Sequence, residues 1–391
     1  MAASLLPRVA SMLAAATLLL AVACHKESEN ATPSNDDLSV LGALPLAAPA
    51  PASNPSSPAK IALGRALFWD PVLSGGKDVS CASCHHPANG YADALDLAIG
   101  VNGTGLGTAR HFRQPNAIPF NKRNTPTVLN SAFNGLTNGG SYDPTRAAMF
   151  WDSRAQSLET QSLLPIGTLE EMRGTACSEG AALDTAVARL RRIPAYAALF
   201  SAAFAEPAPV TATNMGKALA SFERTLLATD APFDQYLRGD KTALSAQQVQ
   251  GLNAFLSSGC AKCHSGPMLS DYQLHVLGAA DNAKNAASDA GANNSYAFRT
   301  PSLRNVALTA PYMHSGTLPT LGAVLNFYDP GRGAPPPANP HVAPGQRDPL
   351  FPARVQDPQA IIAFLQSLTA ASFDRTVPAA VPSGLPVGGN I

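Results

Sequence analysis

The sequence has no surplus of charge of either sign, because 27 lysine and arginine residues balance 27 aspartate and glutamate residues. Proteins that bind nucleic acid, or that bind membranes by broad electrostatic attraction, normally carry a basic excess. The balance therefore argues against both classes of ligand. Sustained alternation of apolar and polar residues is also lacking, which argues against a half-buried β-sheet as the main framework.

Apolar runs long enough to cross a bilayer are lacking beyond the N-terminus. Residues 1–23 combine an early Arg8 with an apolar run from Met12 and an Ala-Val-Ala ending, which is typical of a secretory signal peptide. Cys24 follows directly, so simple cleavage and lipoprotein processing both stay open. We therefore expect an exported protein, with a lipid anchor at Cys24 as one of the two outcomes.

Cysteine is scarce, yet four of the six cysteines fall into two copies of one motif, at residues 81–85 and 260–264. Each copy reads Cys-x-x-Cys-His, the spacing for covalent c-type haem attachment, in which two thiols bond to the porphyrin and the histidine ligates the iron. A zinc site or a disulfide would not need an adjacent histidine twice. The predicted attachment residues are Cys81, Cys84, Cys260 and Cys263, and the predicted iron ligands are His85 and His264.

Two covalently bound haem c groups agree with the export signal, since c-type haem is attached outside the bacterial cytoplasm. Together they predict a periplasmic location. The remaining cysteines are Cys24 and Cys177. A disulfide between them is one interpretation for an oxidising compartment, and a buried free Cys177 is the other.

Helical spacing of apolar residues dominates the rest of the chain and predicts a mainly α fold with long irregular loops. Glycine and proline mark loops at 100–107 and 331–345. The segments with helical spacing are 61–68, 158–164, 183–204, 215–227, 246–256 and 358–368. The predicted organisation is a signal peptide over 1–23, a disordered tether over 24–58, a first haem domain over 59–207, a second over 208–375 and a tail over 376–391.

Two pairs of segments match each other, which indicates an internal duplication. Residues 124–130, Asn-Thr-Pro-Thr-Val-Leu-Asn, match residues 299–305, Arg-Thr-Pro-Ser-Leu-Arg-Asn. Further on, 157–158 aligns with 320–321. We therefore predict two cytochrome c-like haem domains related by duplication.

Longer motifs resemble the bacterial di-haem cytochrome c peroxidase family, including its MauG-like subgroup, over about residues 59–370. They are Leu63–Pro71, Ser80–His85, Phe150–Ala155 and Pro311–Gly316. In such proteins the N-terminal haem reacts with peroxide and the C-terminal haem handles electrons. The resemblance therefore implies a peroxidatic first domain and an electron-transfer second domain.

The resemblance also implies four catalytic residues. Glu171 matches the distal glutamate, whose role is to accept a proton from bound peroxide and return one to the departing oxygen. Gln161 and Pro165 match other positions of the distal pocket. Trp151 matches the tryptophan between the haems, where an indole can relay electrons.

A calcium ion between the domains is implied by the same resemblance. Asn124, Thr309 and Pro311 match the residues that hold this ion. Amide and carbonyl oxygens suit such a hard cation.

Two departures from the better-known peroxidases bear on the mechanism. Where those enzymes often carry a histidine that caps the first haem, after an Ile-Gly pair, this chain has Val101 after Ile99 and Gly100. Valine cannot ligate iron, so we expect an open first haem. His111 is the one obvious substitute ligand nearby.

The second departure concerns the C-terminal haem. Tyr328, which corresponds to Pro165 in the other half, stands where many members place an axial methionine. A phenolate favours ferric iron and lowers the potential, whereas a thioether raises it. Met313 and Met268 do not match the ligand position and are interpreted as packing residues.

Histidines outside the motifs carry weaker signals. His314 matches a histidine common in the family and is expected to hydrogen-bond near the second haem. His86 is expected to point away from the iron, and His275 and His341 show nothing beyond surface histidines.

The predicted function is a periplasmic di-haem peroxidase that reduces hydrogen peroxide to water, with electrons from a cytochrome c or a cupredoxin. The alternative is a MauG-like oxidase that uses peroxide-derived high-valent iron to modify a partner protein. Tyr328 and the missing cap favour this alternative. Ser258 argues against it, because MauG has a tryptophan two residues before its second haem motif.

Overall fold

The computed structural model describes Met1 and residues 32–34, 38–139, 142–332 and 337–391. Short helices joined by long irregular connections make up this part of the chain, which confirms the mainly α prediction. The helices are α1 Pro58–Trp69, α2 Cys81–Cys84, α3 Leu158–Gln161, α4 Leu164–Gly167, α5 Ala182–Arg191, α6 Pro194–Ala203, α7 Ala212–Glu223, α8 Pro232–Leu237, α9 Ala246–Ser257, α10 Leu321–Tyr328 and α11 Pro358–Gln366.

Sheet structure in the described residues is limited to two antiparallel pairs of very short strands. β1 Gly103–Thr104 pairs with β2 His111–Phe112. β3 Leu274–His275 pairs with β4 Phe298–Arg299. Neither pair forms a layer that could carry a core, so helix packing provides the framework.

The first half is built on a close crossing of α1 and α7. Ser57 caps α1 by accepting a hydrogen bond from the Lys60 amide, as expected for a helix N-cap. At the crossing a side chain on Gly64 would overlap Ala218 O and lie 2.8 Å from Phe222 Cβ. Glycine is required there because only a missing Cβ lets the two backbones approach so closely.

The second half repeats this crossing with α9 and α11. A side chain on Gly251 would overlap Ala360 O and lie 2.9 Å from Phe364 Cβ. Ser245 and Gln248 form a capping box at the start of α9, which satisfies two of the free amides at that end. The two helix pairs therefore meet through the same glycine contact.

A buried asparagine follows the same pattern in both halves. Asn130 and Asn305 both adopt the left-handed backbone conformation. The Asn130 side chain accepts a hydrogen bond from Ala228 N at 2.8 Å, and that of Asn305 accepts one from Ala370 N at 3.0 Å. The local architecture thus repeats, while a common origin by duplication stays a prediction.

The boundary between the two cores lies later in the chain than the predicted 207/208. Helix α7 packs on α1, and its Met215 and Phe222 belong to the first core. Phe233 is the first residue after this helix that belongs to the second core, to which Leu38 and Leu41 from the N-terminal segment also contribute. The proline-rich stretch at 207–209 is therefore a loop within the first half, and the change of core falls near Pro232.

Residues 38–58, predicted to belong to a disordered tether, are packed against the protein. Leu38 and Leu41 are buried in the second core, and Leu44 N donates to Asp234 Oδ1 at 2.8 Å. Further on, Asn54 is buried and donates to Glu159 Oε1 at 2.9 Å. Widely spaced leucines anchor this segment even though it has no helical periodicity.

The predicted tail closes the first half. Gly388 N donates to Trp69 O at 2.8 Å, and Ser83 Oγ donates to Gly388 O at 2.7 Å. Ser383 Oγ donates to Asp70 Oδ1 at 2.7 Å. Residues 376–391 are therefore part of the first half in space, although they follow the second half in sequence.

Two predictions at the N-terminus concern the signal peptide and Cys24, which lie outside the described residues apart from Met1. Cys177 is half-buried and has no disulfide partner in the described part of the chain. Among those residues no helix is both long and apolar enough to cross a membrane.

Candidate functional site

A continuous cavity of about 900 Å³ lies between the two halves and is lined by both Cys-x-x-Cys-His motifs. The predicted catalytic and ligand residues outside the motifs also line it. They are Trp151, Gln161, Pro165, Glu171 and Tyr328, together with Asn124, Thr309 and Pro311. The fold thus gathers into one space residues that are widely separated in sequence.

Each motif histidine is held in the orientation that an iron ligand needs. His85 Nδ1 is hydrogen-bonded to Tyr91 O at 3.1 Å, and His264 Nδ1 is hydrogen-bonded to Leu269 O at 3.0 Å. Donating Nδ1–H to a carbonyl fixes the tautomer and leaves Nε2 as the metal-binding atom. Burial lowers the pKa of both imidazoles, so both are in the neutral form that binds iron.

The motif cysteines suit thioether bonds better than a thiolate metal site. Burial raises the pKa of each of the four thiols. The four thiols are therefore neutral before any group binds. The neutral sulfurs, the oriented imidazoles and the large shared cavity therefore fit two haem c groups.

Glu171 lies on a single π-helical turn, Leu169–Arg173. Such turns are rare and often occur at functional sites. Burial raises the pKa of Glu171 to about 7, with the Arg154 guanidinium opposing this shift and the Glu170 carboxylate adding to it. A carboxyl group with a pKa near neutrality can both accept and donate a proton.

The same carboxyl group lies close to the first haem motif. After burial, the charge of Glu171 is among the causes that raise the pKa of Cys81 and of Cys84. Gln161 ends α3 and Pro165 lies in the first turn of α4, and both line the cavity with Glu171. The structure therefore brings the three predicted distal residues together at the first motif.

Val101, which stands where related peroxidases carry a capping histidine, contacts the backbone beside Glu171. Val101 N donates to Glu170 O at 3.2 Å, and Val101 itself is buried. His111 is exposed on β2, with Nδ1 2.9 Å from Ala109 O. Neither side chain is among those lining the cavity, so His111 does not stand in for the missing ligand in this conformation.

Trp151 connects the two halves. Its indole Nε1 donates to Asn124 O at 2.9 Å, and its carbonyl accepts from Arg299 N at 2.7 Å. Asn124 belongs to the first half and Arg299 to the second. These bonds fix the indole at the junction, on the wall of the cavity that both motifs share.

Tyr328 lies beside the second motif, at the end of α10. Burial is the largest cause that raises the pKa of its hydroxyl, followed by the charges of Cys260 and Cys263. The hydroxyl is therefore within electrostatic reach of both sulfurs. Met268 also lines the cavity and is packed in a buried cluster with Leu44 and Phe133, as interpreted from the sequence.

The three predicted calcium residues, Asn124, Thr309 and Pro311, all line the cavity between the halves. Asn124 N donates to His314 O at 2.8 Å, and Asn124 Nδ2 donates to Leu95 O at 2.8 Å. The second bond leaves the side-chain oxygen Oδ1 as the available ligand atom. Thr309 and Pro311 line the same cavity, so the donor set is the oxygen-rich kind that calcium prefers.

His314 lines the cavity, and its expected hydrogen bond near the second haem stays a prediction. Its ring stacks on Phe298 with centroids 3.6 Å apart, and its Nε2 has no hydrogen-bond partner among the described residues. Burial lowers the pKa of His314 to about 4. The imidazole is therefore neutral, and the His314 carbonyl accepts a hydrogen bond from Asn124 N at 2.8 Å.

Two titratable side chains on the cavity wall carry no motif in the sequence. His275, interpreted above as a surface histidine, is held between Asp348 Oδ2 at 2.6 Å and Asp271 Oδ2 at 3.0 Å. Glu223 is buried at the end of α7, and its Oε2 has no hydrogen-bond partner among the described residues. No signal in the sequence distinguishes Glu223 from a solvated glutamate, and only the helix crossing shows it to be buried.

Known proteins resemble this chain in both sequence and structure. The family model for di-haem cytochrome c peroxidase matches residues 58–242. The methylamine utilization protein MauG of Methylorubrum extorquens is 36% identical, over 88% of this chain and 89% of its own length. The cytochrome-c peroxidase IdrP1 of Denitromonas iodatirespirans is 33% identical, over 90% and 92%. The crystal structure of a MauG-like protein associated with microbial copper homeostasis superposes with a TM-score of 0.67 at 28% identity, over 84% of this chain and 95% of that one.

Proposed function

Because the chain belongs to the di-haem cytochrome c peroxidase family, we propose that it reduces hydrogen peroxide to water in the periplasm with electrons from a small redox protein. It is an oxidoreductase of the cytochrome-c peroxidase type. The observation that carries the proposal is an asymmetry within one cavity. A titratable carboxyl group, Glu171, lies beside the first motif, whereas a phenol, Tyr328, lies beside the second.

Haem c bound at the two motifs supplies redox-active iron at each. Glu171 would take a proton from one peroxide oxygen and return it to the other. Gln161 and Pro165 shape the space beside it, and neither offers a strong iron ligand. The first motif is therefore the proposed peroxide site.

Tyr328 is the proposed second protein ligand to the iron of a haem held at the second motif. As a phenolate it would stabilise ferric iron and disfavour peroxide binding there. Trp151, bonded to both halves, is the proposed electron relay between the sites. A calcium ion held by Asn124, Thr309 and Pro311 would fix the junction at which this relay lies.

A second candidate function is oxidation of a partner protein, since MauG is among the relatives. Tyr328 and Val101 favour it, because they depart from the better-known peroxidases. Ser258 argues against this function, because a serine provides no aromatic relay to the surface. Its hydroxyl instead accepts a hydrogen bond from Gln356 N at 2.9 Å. Peroxide reduction with a small electron donor, a cytochrome c or a cupredoxin, is thus the preferred function.

The test is a peroxide pulse on the as-isolated ferric protein, followed by titration with reduced cytochrome c. Rapid oxidation of the cytochrome, at two equivalents per peroxide, is expected of a peroxidase. Oxidising equivalents that persist in the presence of the cytochrome would instead support the protein-modifying oxidase. A ferric spectrum with two low-spin haems would contradict the open first site.

A further inference from the structure

The two repeated helix crossings define which residues correspond between the halves. Gly64 meets Ala218 and Phe222, and Gly251 meets Ala360 and Phe364. On this register residue 223 corresponds to residue 365. The asparagine bonds agree, since Asn130 N donates to Leu226 O and Asn305 N donates to Leu368 O.

Equivalent positions on the cavity wall therefore carry Glu223 in the first half and Leu365 in the second. Both residues are 5% exposed. A leucine at such a position needs no explanation beyond packing against the cavity. A carboxyl group does, because burying one without partners is costly.

Among the described residues Glu223 has no hydrogen-bonded counter-ion, and the nearby Arg224 charge opposes but does not cancel the effect of burial on its pKa. The neighbouring Arg224 guanidinium is taken by Glu159, at 2.7 and 3.0 Å, and Arg65 lies over the Phe222 ring and pairs with Asp374. The charged and titratable groups around this carboxyl are Arg224 at the end of its own helix, Glu159 on α3, Arg65 on α1, Cys81 on α2 and, beyond Cys81, Glu171.

We propose that the Glu223 carboxyl group is a proton site coupled to the first haem. It binds one proton when an electron enters that haem and releases the proton when the electron leaves. Its place beside Cys81 is supported by charge, since after burial Glu223 is the largest cause that raises the pKa of that thiol. Burial also raises the pKa of Glu223 to about 8. When the haem loses an electron, the added positive charge would favour release of the proton from Glu223. When the haem gains an electron, Glu223 would bind a proton again.

The reaction explains why such a site is useful. Reduction of one peroxide to two water molecules consumes two electrons and two protons. Glu171 moves a proton from one oxygen to the other and supplies none. Glu223 would hold one of the protons that must enter with the electrons, so the net charge beside the first haem stays constant. The inference rests on the proposed assignment of the first motif as the peroxide site.

The experiment measures the ferric–ferrous equilibrium of the first haem between pH 6 and 9 in the holoprotein, with infrared difference spectra of the same transition. In the wild type the equilibrium should shift by up to about tenfold per pH unit, the value for one proton per electron. The infrared spectrum should show a carboxyl C=O band. Glu223→Gln and Glu223→Leu should each lose the band and keep less than about a twofold shift. Leu365→Met, at the matched position, should change neither.

Retention of the band and of the pH dependence in both Glu223 variants would overturn the proposal. So would loss of both signals in Glu171→Gln but not in the Glu223 variants. Bound haem is verified by absorbance in every variant, so loss of the cofactor is not mistaken for loss of the proton. No step uses peroxide, so the result is separate from the peroxidase test.

Discussion

Glu223 and Leu365 occupy equivalent places in the two helix crossings. The first gives the cavity wall a titratable carboxyl group, whereas the second gives it an apolar side chain. In the first half the wall carries two buried carboxyl groups with raised pKa values, Glu171 and Glu223. In the second half the corresponding wall carries leucine and Tyr328. A repeated scaffold thus holds the two motif histidines alike through backbone carbonyls, and the proposed division between a proton-handling and an electron-handling site depends on the residues that differ between the halves.

The largest expected effect comes from the most deeply buried ion pair of the described residues, which lies in the second half. Asp234 and Arg304 are paired at 2.9 Å with side chains 0% and 1% exposed. Asp234→Ala should destabilise the protein by about 3–5 kcal/mol, because it leaves a buried guanidinium without its counter-ion. The measurement is a urea unfolding curve of the holoprotein. An unchanged midpoint would show that the second half does not depend on this pair.

Glu171→Gln should remove the proton chemistry of the first half alone. Peroxide turnover is expected to fall about 100-fold or more, which is the usual contribution of a general acid–base group. The measurement is steady-state oxidation of reduced cytochrome c by peroxide. Glu179→Gln, an exposed change nearby, serves as the control and should retain full turnover. Equal turnover in both variants would show that Glu171 is not the acid–base group.

The pKa of Glu171 also predicts how turnover depends on pH. The pKa of Glu171 is raised to about 7, and the carboxylate form is the one that accepts a proton. Turnover should therefore decline as the pH falls below about 7, and this limb should vanish in Glu171→Gln. A limb of the same shape in both proteins would assign it to another group.

Tyr328→Met should make the second half more like that of the better-known peroxidases. Replacing a phenolate by a thioether is expected to raise the potential of the second haem by a sizeable part of the roughly 0.8 V that axial ligands span. Spectroelectrochemistry measures this, and the first haem in the same sample is the internal control. No shift would mean that Tyr328 is not the ligand.

The smallest effect is expected at the exposed ion pair of the first half, Arg113 with Asp78 at 3.0 Å. Because the arginine side chain is 47% exposed, Arg113→Gln should cost less than about 1 kcal/mol. The same urea experiment tests it. A loss as large as that of Asp234→Ala would show that burial does not distinguish the pairs.

The haem motifs were predictable because covalent attachment demands fixed residues at fixed spacing. Glu171 was predictable only through the family resemblance, since its π-helical turn has no local sequence signal. The domain boundary was placed too early because proline-rich residues 207–209 mark a loop, whereas the core changes only near Pro232. Glu223 was missed because a lone glutamate at the end of a helix looks solvated until the helix crossing shows it to be buried.

The two ends of the described chain are exchanged between the halves. Residues 38–44 bind the second core through Leu44 and Asp234, and the tail binds the first core, where Ser383 contacts Asp70 across 313 residues of sequence. The first half therefore cannot finish packing until the second half has been synthesised. The packing around Cys81 and Cys84 is complete only when residues 383–390 are in place, because Ser83 Oγ donates to Gly388 O and Ser383 Oγ donates to Asp70 Oδ1.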